Sequence, residues 1–263
     1  MPLLEFRNVV KAFDGAKVLD GISFSVEKGE IFCIVGPSGT GKSVTLKHFV
    51  RLLEPDAGEV LVDGVDVASC SARELRGVRS RIGYLFQGGA LLAWKTVAGN
   101  VALPLEENTR LSRAEIGRKV AAALEATGLS DAAGRYPHEI SGGMQKRAGL
   151  ARAVVRESDI VLYDEPTSGL DPVTAQSIDS LIVRLNKRLG ITSVVVTHDM
   201  RAALAMASRI MLLKDGKVLE CAAPADFAKS QDADVRAFLD AAGVVQTPDR
   251  PTTQPSNHQT TKP

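Results

Sequence analysis

The sequence predicts an α/β chain: a mostly parallel sheet covered by helices on both faces, an antiparallel β part at the N-terminus, and an inserted helical subdomain. Three observations carry that prediction. Residues 31–35, 160–163 and 193–196 are short, almost wholly apolar runs, as expected of strands buried on both faces. Helical spacing follows the first run, over residues 44–53, and separates the other two, over residues 172–189. Strands that alternate with helices in this way pair in parallel. Between residues 88 and 152 strand patterns give way to helical periodicity, clearest over 116–127, where Val120 and Leu124 share a side.

Taken in order, Leu4, Phe6 and Val9 and then Ile22, Phe24 and Val26 alternate with polar residues, the signature of half-buried strands. The first buried run ends in a glycine-rich turn, and Pro55 and Gly58 close the helix that follows. Residues 60–67 resume a strand pattern with a turn at Asp63-Gly64, and residues 210–213 and 218–220 flank a turn at Asp215-Gly216. The expected division is a core in two parts, 1–87 and 153–225, a helical subdomain at 88–152, and a C-terminal extension at 226–263. Val235, Phe238 and Leu239 have the spacing of a short docking helix. From about residue 246 the chain is polar with four prolines, which predicts disorder because too little apolar surface is available to offset ordering entropy.

Composition narrows the classes. Hydrophobic residues make up 44% and charged residues 24%, with a formal net charge of +1, a balance that gives no support to a nucleic-acid partner. Glu5, Arg7 and Lys11 interrupt the N-terminal apolar residues, so no secretory leader is expected. No run reaches the roughly 18–20 apolar residues that a membrane-crossing helix needs. The three cysteines, Cys33, Cys70 and Cys221, lack metal-ligand spacing and read as isolated thiols of a reducing cytoplasm.

Residues Gly36, Pro37, Ser38, Gly39, Thr40, Gly41, Lys42 and Ser43 satisfy G-x-x-x-x-G-K-[ST] in full. Glycines at those positions let main-chain N–H groups turn inward around a polyphosphate. Val44 then opens a helix whose N-terminus adds partial positive charge. Lys42 can reach the β- and γ-phosphates, and the Ser43 hydroxyl can ligate Mg²⁺. The buried run 160–163 ends in Asp164 and Glu165. Asp164 is expected in the Mg²⁺ shell, and Glu165 is expected to accept a proton from the attacking water.

Ser141, Gly142, Gly143, Met144 and Gln145, followed by KRAGLARAVV, resemble the ABC signature segment. A serine and two glycines opening a helix make a second anion-binding tip. The resemblance implies that this tip closes on the γ-phosphate of ATP held by a second copy of the chain. Other family elements follow in the family's order over roughly residues 3–225. Gln87 matches the Q-loop glutamine, a contact of Mg²⁺ and water; Asp171, in Ser168-Gly-Leu-Asp171, matches the D-loop; His198 matches the switch histidine; Phe13 sits where an aromatic stacks on adenine. The implied core is that of a P-loop NTPase (RecA-like), the implied activity is ATP hydrolysis, and the implied ligands are ATP and Mg²⁺.

Met144 in place of the usual glutamine, with LFQGGAL and GKSVTLK, is most similar to the ATPases of MCE-type (Mla-like) phospholipid transporters. That resemblance implies multipass permease subunits, an MCE-domain lipid-binding subunit reached through the complex, and a peripheral place on the cytoplasmic face of the inner membrane. The other readings are that Met144 is a neutral packing variant and that the chain serves a small-solute importer. The apolar segment 90–105 contains the single Trp94; it is expected to line the groove for a permease helix, or else Trp94 packs within the helical subdomain.

Overall fold

The structure is a computed structural model that describes residues 2–244; the disorder expected from about residue 246 lies outside the described residues. The elements in chain order begin with β1 (Leu4–Phe13), β2 (Ala16–Val26), β3 (Ile31–Val35), α1 (Lys42–Phe49), β4 (Ala57–Val62) and β5 (Val65–Asp66). Next come α2 (Ala72–Ser80), β6 (Ile82–Leu85), α3 (Val97–Asn108), α4 (Arg113–Thr127), α5 (Gly142–Val154) and β7 (Ile160–Asp164). The chain continues through α6 (Pro172–Leu189), β8 (Thr192–Thr197), α7 (Met200–Met206), β9 (Arg209–Lys214), β10 (Lys217–Ala222), α8 (Pro224–Phe227) and α9 (Ala233–Ala241).

Two sheets form. One is antiparallel, ordered β2-β1-β4-β5. The other is ordered β10-β9-β3-β8-β7-β6 and is parallel except for the edge pair β9–β10. Period-two alternation divides the second sheet's side chains between two cores. Phe32, Ile34, Ile160, Leu162, Val194 and Val196 join α1, α2 and the antiparallel sheet. Ile31, Cys33, Val35, Val161, Tyr163 and Val195 face α5, α6, α7 and α9. Phe24 ties the two sheets together: its ring stacks on Phe6 at 4.8 Å and on Phe32 at 5.4 Å.

A third core joins α3, α4 and α5. Helix α5 belongs to two cores at once, with Leu150, Ala153 and Val154 in the sheet core and Ala148 and Ala151 in the helical one. The helical layer thus continues past residue 152, through the helix that carries the signature residues. Helix α1 is shorter than the spacing over 44–53 suggests. It stops at Phe49 because Arg51 enters the left-handed region at φ 47°, and the Arg79 guanidinium donates to the freed Val50 and Arg51 carbonyls.

Helix α2, with a capping box between Ser71 and Glu74, has no counterpart among the sequence expectations. The C-terminal apolar triplet does form a helix, α9, whose Val235 and Leu239 are fully buried. Cys33 is buried, Cys70 half-buried and Cys221 exposed, all as free thiols; burial pushes the Cys33 thiol well above its usual range.

Candidate nucleotide site

Strand β3 ends against the loop that leads into α1, and the loop's backbone is left-handed where glycine stands. Gly36 has φ 153° and lies against the Leu213 carbonyl, while Gly41 has φ 95° with the Val18 carbonyl at 2.9 Å from where a Cβ would sit. Side chains at these two positions would collide with main chain. Among the described α-helices of seven or more residues, α1 is the one whose N-terminus has no side-chain cap. Its first N–H groups are therefore left for a ligand.

The loop opens on a cavity of about 380 Å³ lined by Phe13, Val18, Ser38, Gly39, Gly41, Lys42, Ser43, Val44, Gln87 and Glu165. Gly36, Pro37 and Thr40 shape the loop from behind. The Thr40 hydroxyl donates to the Pro37 carbonyl at 2.9 Å, and the buried Lys42 ammonium donates to the carbonyls of Gly36 and Pro37 at 2.9 and 2.8 Å. Burial lowers the Lys42 pKa, against the opposing pull of Glu165 and Asp164. Phe13 is 41% exposed at the cavity mouth, with the Lys11 ammonium 5.4 Å from its ring centroid.

Strand β7 delivers Asp164 and Glu165 to the same place. The Ser43 hydroxyl donates to Asp164 Oδ1 at 2.5 Å, and the Tyr84 hydroxyl reaches Asp164 Oδ2 at 3.4 Å. Glu165 is buried and adopts φ 49°, a left-handed conformation that costs a residue such as glutamate backbone strain. Its carboxylate lies 2.8 Å from Nδ1 of the more exposed His198 at the end of β8. Gln87, just beyond β6, donates through Nε2 to Ser168 at 3.4 Å. The donors are hydroxyl, carboxylate and amide oxygens, a set that suits a hard divalent cation. No group of three or more His, Cys, Asp or Glu residues gathers as a metal site among the described residues.

The remaining expected residues are not in this cavity. Ser141 caps α5 by accepting from the Met144 amide at 3.3 Å, and Asp171 caps α6 by accepting from Val173 and Thr174 at 3.1 and 3.0 Å. These two helix starts pack on one another. A Cβ on Gly142 would meet Leu170 at 3.6 Å, and one on Gly143 would press into the Thr174 side chain. Gly143 therefore has a packing reason of its own, independent of any ligand.

Two residues went unnoticed in the sequence. Tyr84 is a strand residue whose hydroxyl matters only once β6 lies beside β7. Lys146 is buried and donates to the carbonyls of Gln87 and Glu165. Its signal was available: it is the one charged residue in the row Gly143, Lys146, Leu150, Ala153 on the buried side of α5. Trp94 is 74% exposed, so it does not pack within the helical subdomain.

Comparison with known proteins matches this geometry. The family model described as ABC transporter covers residues 19–168. The chain is 42% identical over 237 residues to the intermembrane phospholipid transport system ATP-binding protein MlaF of Haemophilus influenzae, covering 90% of each chain. It is 45% identical over 204 residues to the methionine import ATP-binding protein MetN of Carboxydothermus hydrogenoformans, covering 78% of this chain but only 60% of that one. Among solved structures, a dimeric post-hydrolysis ATP-binding cassette bound to ADP and Pi superposes with a TM-score of 0.77 at 34% identity, over 84% of this chain and 98% of that one. A phosphate-cradling loop, a strand-end carboxylate pair and a signature helix in this one fold make the chain a member of the ABC transporter family, an ATPase that binds and hydrolyses ATP.

Proposed function

We propose that the chain is the motor subunit of a phospholipid transporter and that two copies clamp two ATP molecules between them. The observation that carries the clamp is the separation of two anion-binding tips. The start of α1 lines the cavity with Lys42 and Glu165, whereas Ser141, Gly142 and Gly143 lie apart from it beside Leu170 and Thr174. In one chain each tip lacks the other. Antiparallel pairing of two copies lets each signature tip cover the other copy's γ-phosphate, and Asp171 then lies at the boundary between them.

Within one cradle, Lys42 leaves the Gly36 and Pro37 carbonyls and turns its ammonium to the β- and γ-phosphates. The α1 amides and the loop amides of residues 38–44 bind the remaining phosphate oxygens. Phe13 stacks on the adenine. Glu165, aimed into the cavity by its left-handed backbone, holds the attacking water and takes its proton. His198, hydrogen-bonded to that carboxylate, keeps it oriented and faces the γ-phosphate. Mg²⁺ fits the oxygen donors: Ser43, Asp164 and Gln87 would hold it, and it would neutralise charge on the phosphate oxygens.

Cargo rests on the likeness to MlaF, which covers nine-tenths of both chains. The multipass permease subunits, the MCE-domain partner and the peripheral position at the cytoplasmic face of the inner membrane belong to the same reading. The exposed Trp94 at the start of the helical layer suits a groove for a permease helix. No helix among the described residues is long and apolar enough to cross a membrane. The likeness to MetN, at 45% identity, favours a second reading, the ATPase of a small-solute importer.

The clamp is tested with Glu165→Gln. Hydrolysis should fall by about 10²–10⁴-fold while ATP affinity stays within about threefold, and ATP should convert the variant to a stable dimer in sedimentation. A variant that hydrolyses at the normal rate, or remains monomeric in saturating ATP, contradicts the proposal. Transfer of labelled phospholipid rather than uptake of methionine, measured with the complex reconstituted in liposomes, separates the two cargo readings.

A further inference from the structure

We propose that Lys146 is a positioning residue for hydrolysis: it fastens the signature helix to the main chain of Gln87 and Glu165, so that the aim of the carboxylate follows the position of α5. The inference rests on the reading of Glu165 as the general base. It starts from a charge in an unexpected place. Lys146 is only 6% exposed on the inward side of α5, where its neighbours in the row are glycine, leucine and alanine. Burial disfavours the charged ammonium, and an apolar residue of similar length would fill the same space without that cost.

What the ammonium gains is two carbonyls. Its Nζ donates to the oxygen of Gln87 and, at 3.2 Å, to that of Glu165. Asp164 and Glu165 support its charge from a distance. The Glu165 backbone is in the left-handed region, which persists only where the surroundings fix it. Its N–H is held by the Val196 carbonyl at 3.0 Å, and its C=O accepts both the Ser168 amide and the Lys146 ammonium, each at 3.2 Å. These bonds hold the residue on both sides and set the direction of its side chain. Loss of Lys146 leaves the carbonyl with the turn bond from Ser168 alone, and nothing then ties it to α5.

The Gln87 bond ties in the rest of the loop. Two turns further along α5, Arg152 donates to the carbonyls of Gly89 and Ala90 at 2.7 and 2.6 Å. Residues 87–90 are therefore strapped to α5 at both ends, and Lys146 is the strap that also reaches the end of β7. Because α5 is shared by the sheet core and the helical core, a shift of the helical layer pulls on both carbonyls together. A signature tip seated on the opposing nucleotide then sets the local carboxylate through Lys146.

The test compares Lys146→Met and Lys146→Arg in the full-length chain with MgATP. Methionine keeps most of the length and loses both hydrogen bonds. It should lower kcat by about 10–100-fold, the scale of an ångström-sized misplacement, with KM and binding of a fluorescent ATP analogue within about threefold. Arginine, which can reach both carbonyls, should recover most of the rate. If the methionine variant does not fold, Lys146→Gln is read by the same measurements. A normal kcat, a loss carried entirely by KM, or an arginine variant no faster than methionine overturns the proposal. If Glu165→Gln is inactive while Lys146→Met is fully active, only the positioning role fails; if Glu165→Gln remains active, the reading of Glu165 fails first.

Discussion

Two helix starts in this molecule carry glycines, yet they are built differently. Helix α1 opens from Gly41 in a left-handed conformation with no side-chain cap, and its free amides line a cavity that the same chain completes with Lys42 and Glu165. Helix α5 opens from Ser141, whose hydroxyl already accepts the Met144 amide, and it packs beside the start of α6, itself capped by Asp171. The first tip is a finished half-site held open for its ligand. The second is satisfied by its own cap without one, as the proposed clamp requires of a tip whose ligand arrives on another molecule. Under that proposal, capping one and leaving the other uncapped separates binding from turnover.

That difference can be broken at each tip. Ser141→Arg puts a long side chain where a second nucleotide would seat; ATP hydrolysis should fall by about 10²–10³-fold, as for loss of an anion-stabilising donor, with nucleotide affinity of the single chain unchanged. An equal loss of affinity, read by titration with a fluorescent nucleotide, would mean that the two tips serve one site. Lys42→Ala should do the opposite, weakening ATP binding about 100-fold by deleting a charge-assisted contact, which calorimetry reads directly.

Ser141→Ala sharpens the comparison on stability. Removing the cap should cost about 1 kcal/mol in urea unfolding without nucleotide, a penalty that α1, lacking a side-chain cap, has no equivalent of. The smallest effect lies away from both tips. Burial, with Asp199 nearby, pushes the Asp179 carboxyl up to about 6. A carboxyl whose folded pKa is raised favours the folded state at low pH, and that contribution is lost as pH rises through about 6. Asp179→Asn should therefore stabilise the chain at pH 8 relative to pH 5, by about 1 kcal/mol once solvent screening at this half-buried site is allowed for. Thermal melts at the two pH values decide it.

Much of this was legible in the residues because the relevant patterns are local. The strand-loop-helix from Ile31 to Phe49 declares itself through an apolar run, spaced glycines and a lysine, and the Asp164-Glu165 pair through the run before it. The division of labour between tips was legible only as a resemblance, since nothing in the residues 141–143 says which nucleotide they face. What could not be read was long-range. Tyr84 acquires a role when β6 pairs with β7, and Lys146 when α5 folds over the ends of β6 and β7. The spacing overruns the end of α1 because Arg51, a good helix former, stands in the left-handed region there, its carbonyl accepting from Arg79 of α2.

The backbone angle at Glu165 has one more consequence. A φ of 49° is a turn that glycine would adopt at no cost, so the easiest residue for folding at 165 is one with no carboxylate at all. If Glu165 is the general base we propose, a relaxed backbone and turnover pull this position in opposite directions. A glutamate here is a residue that backbone conformation alone does not favour.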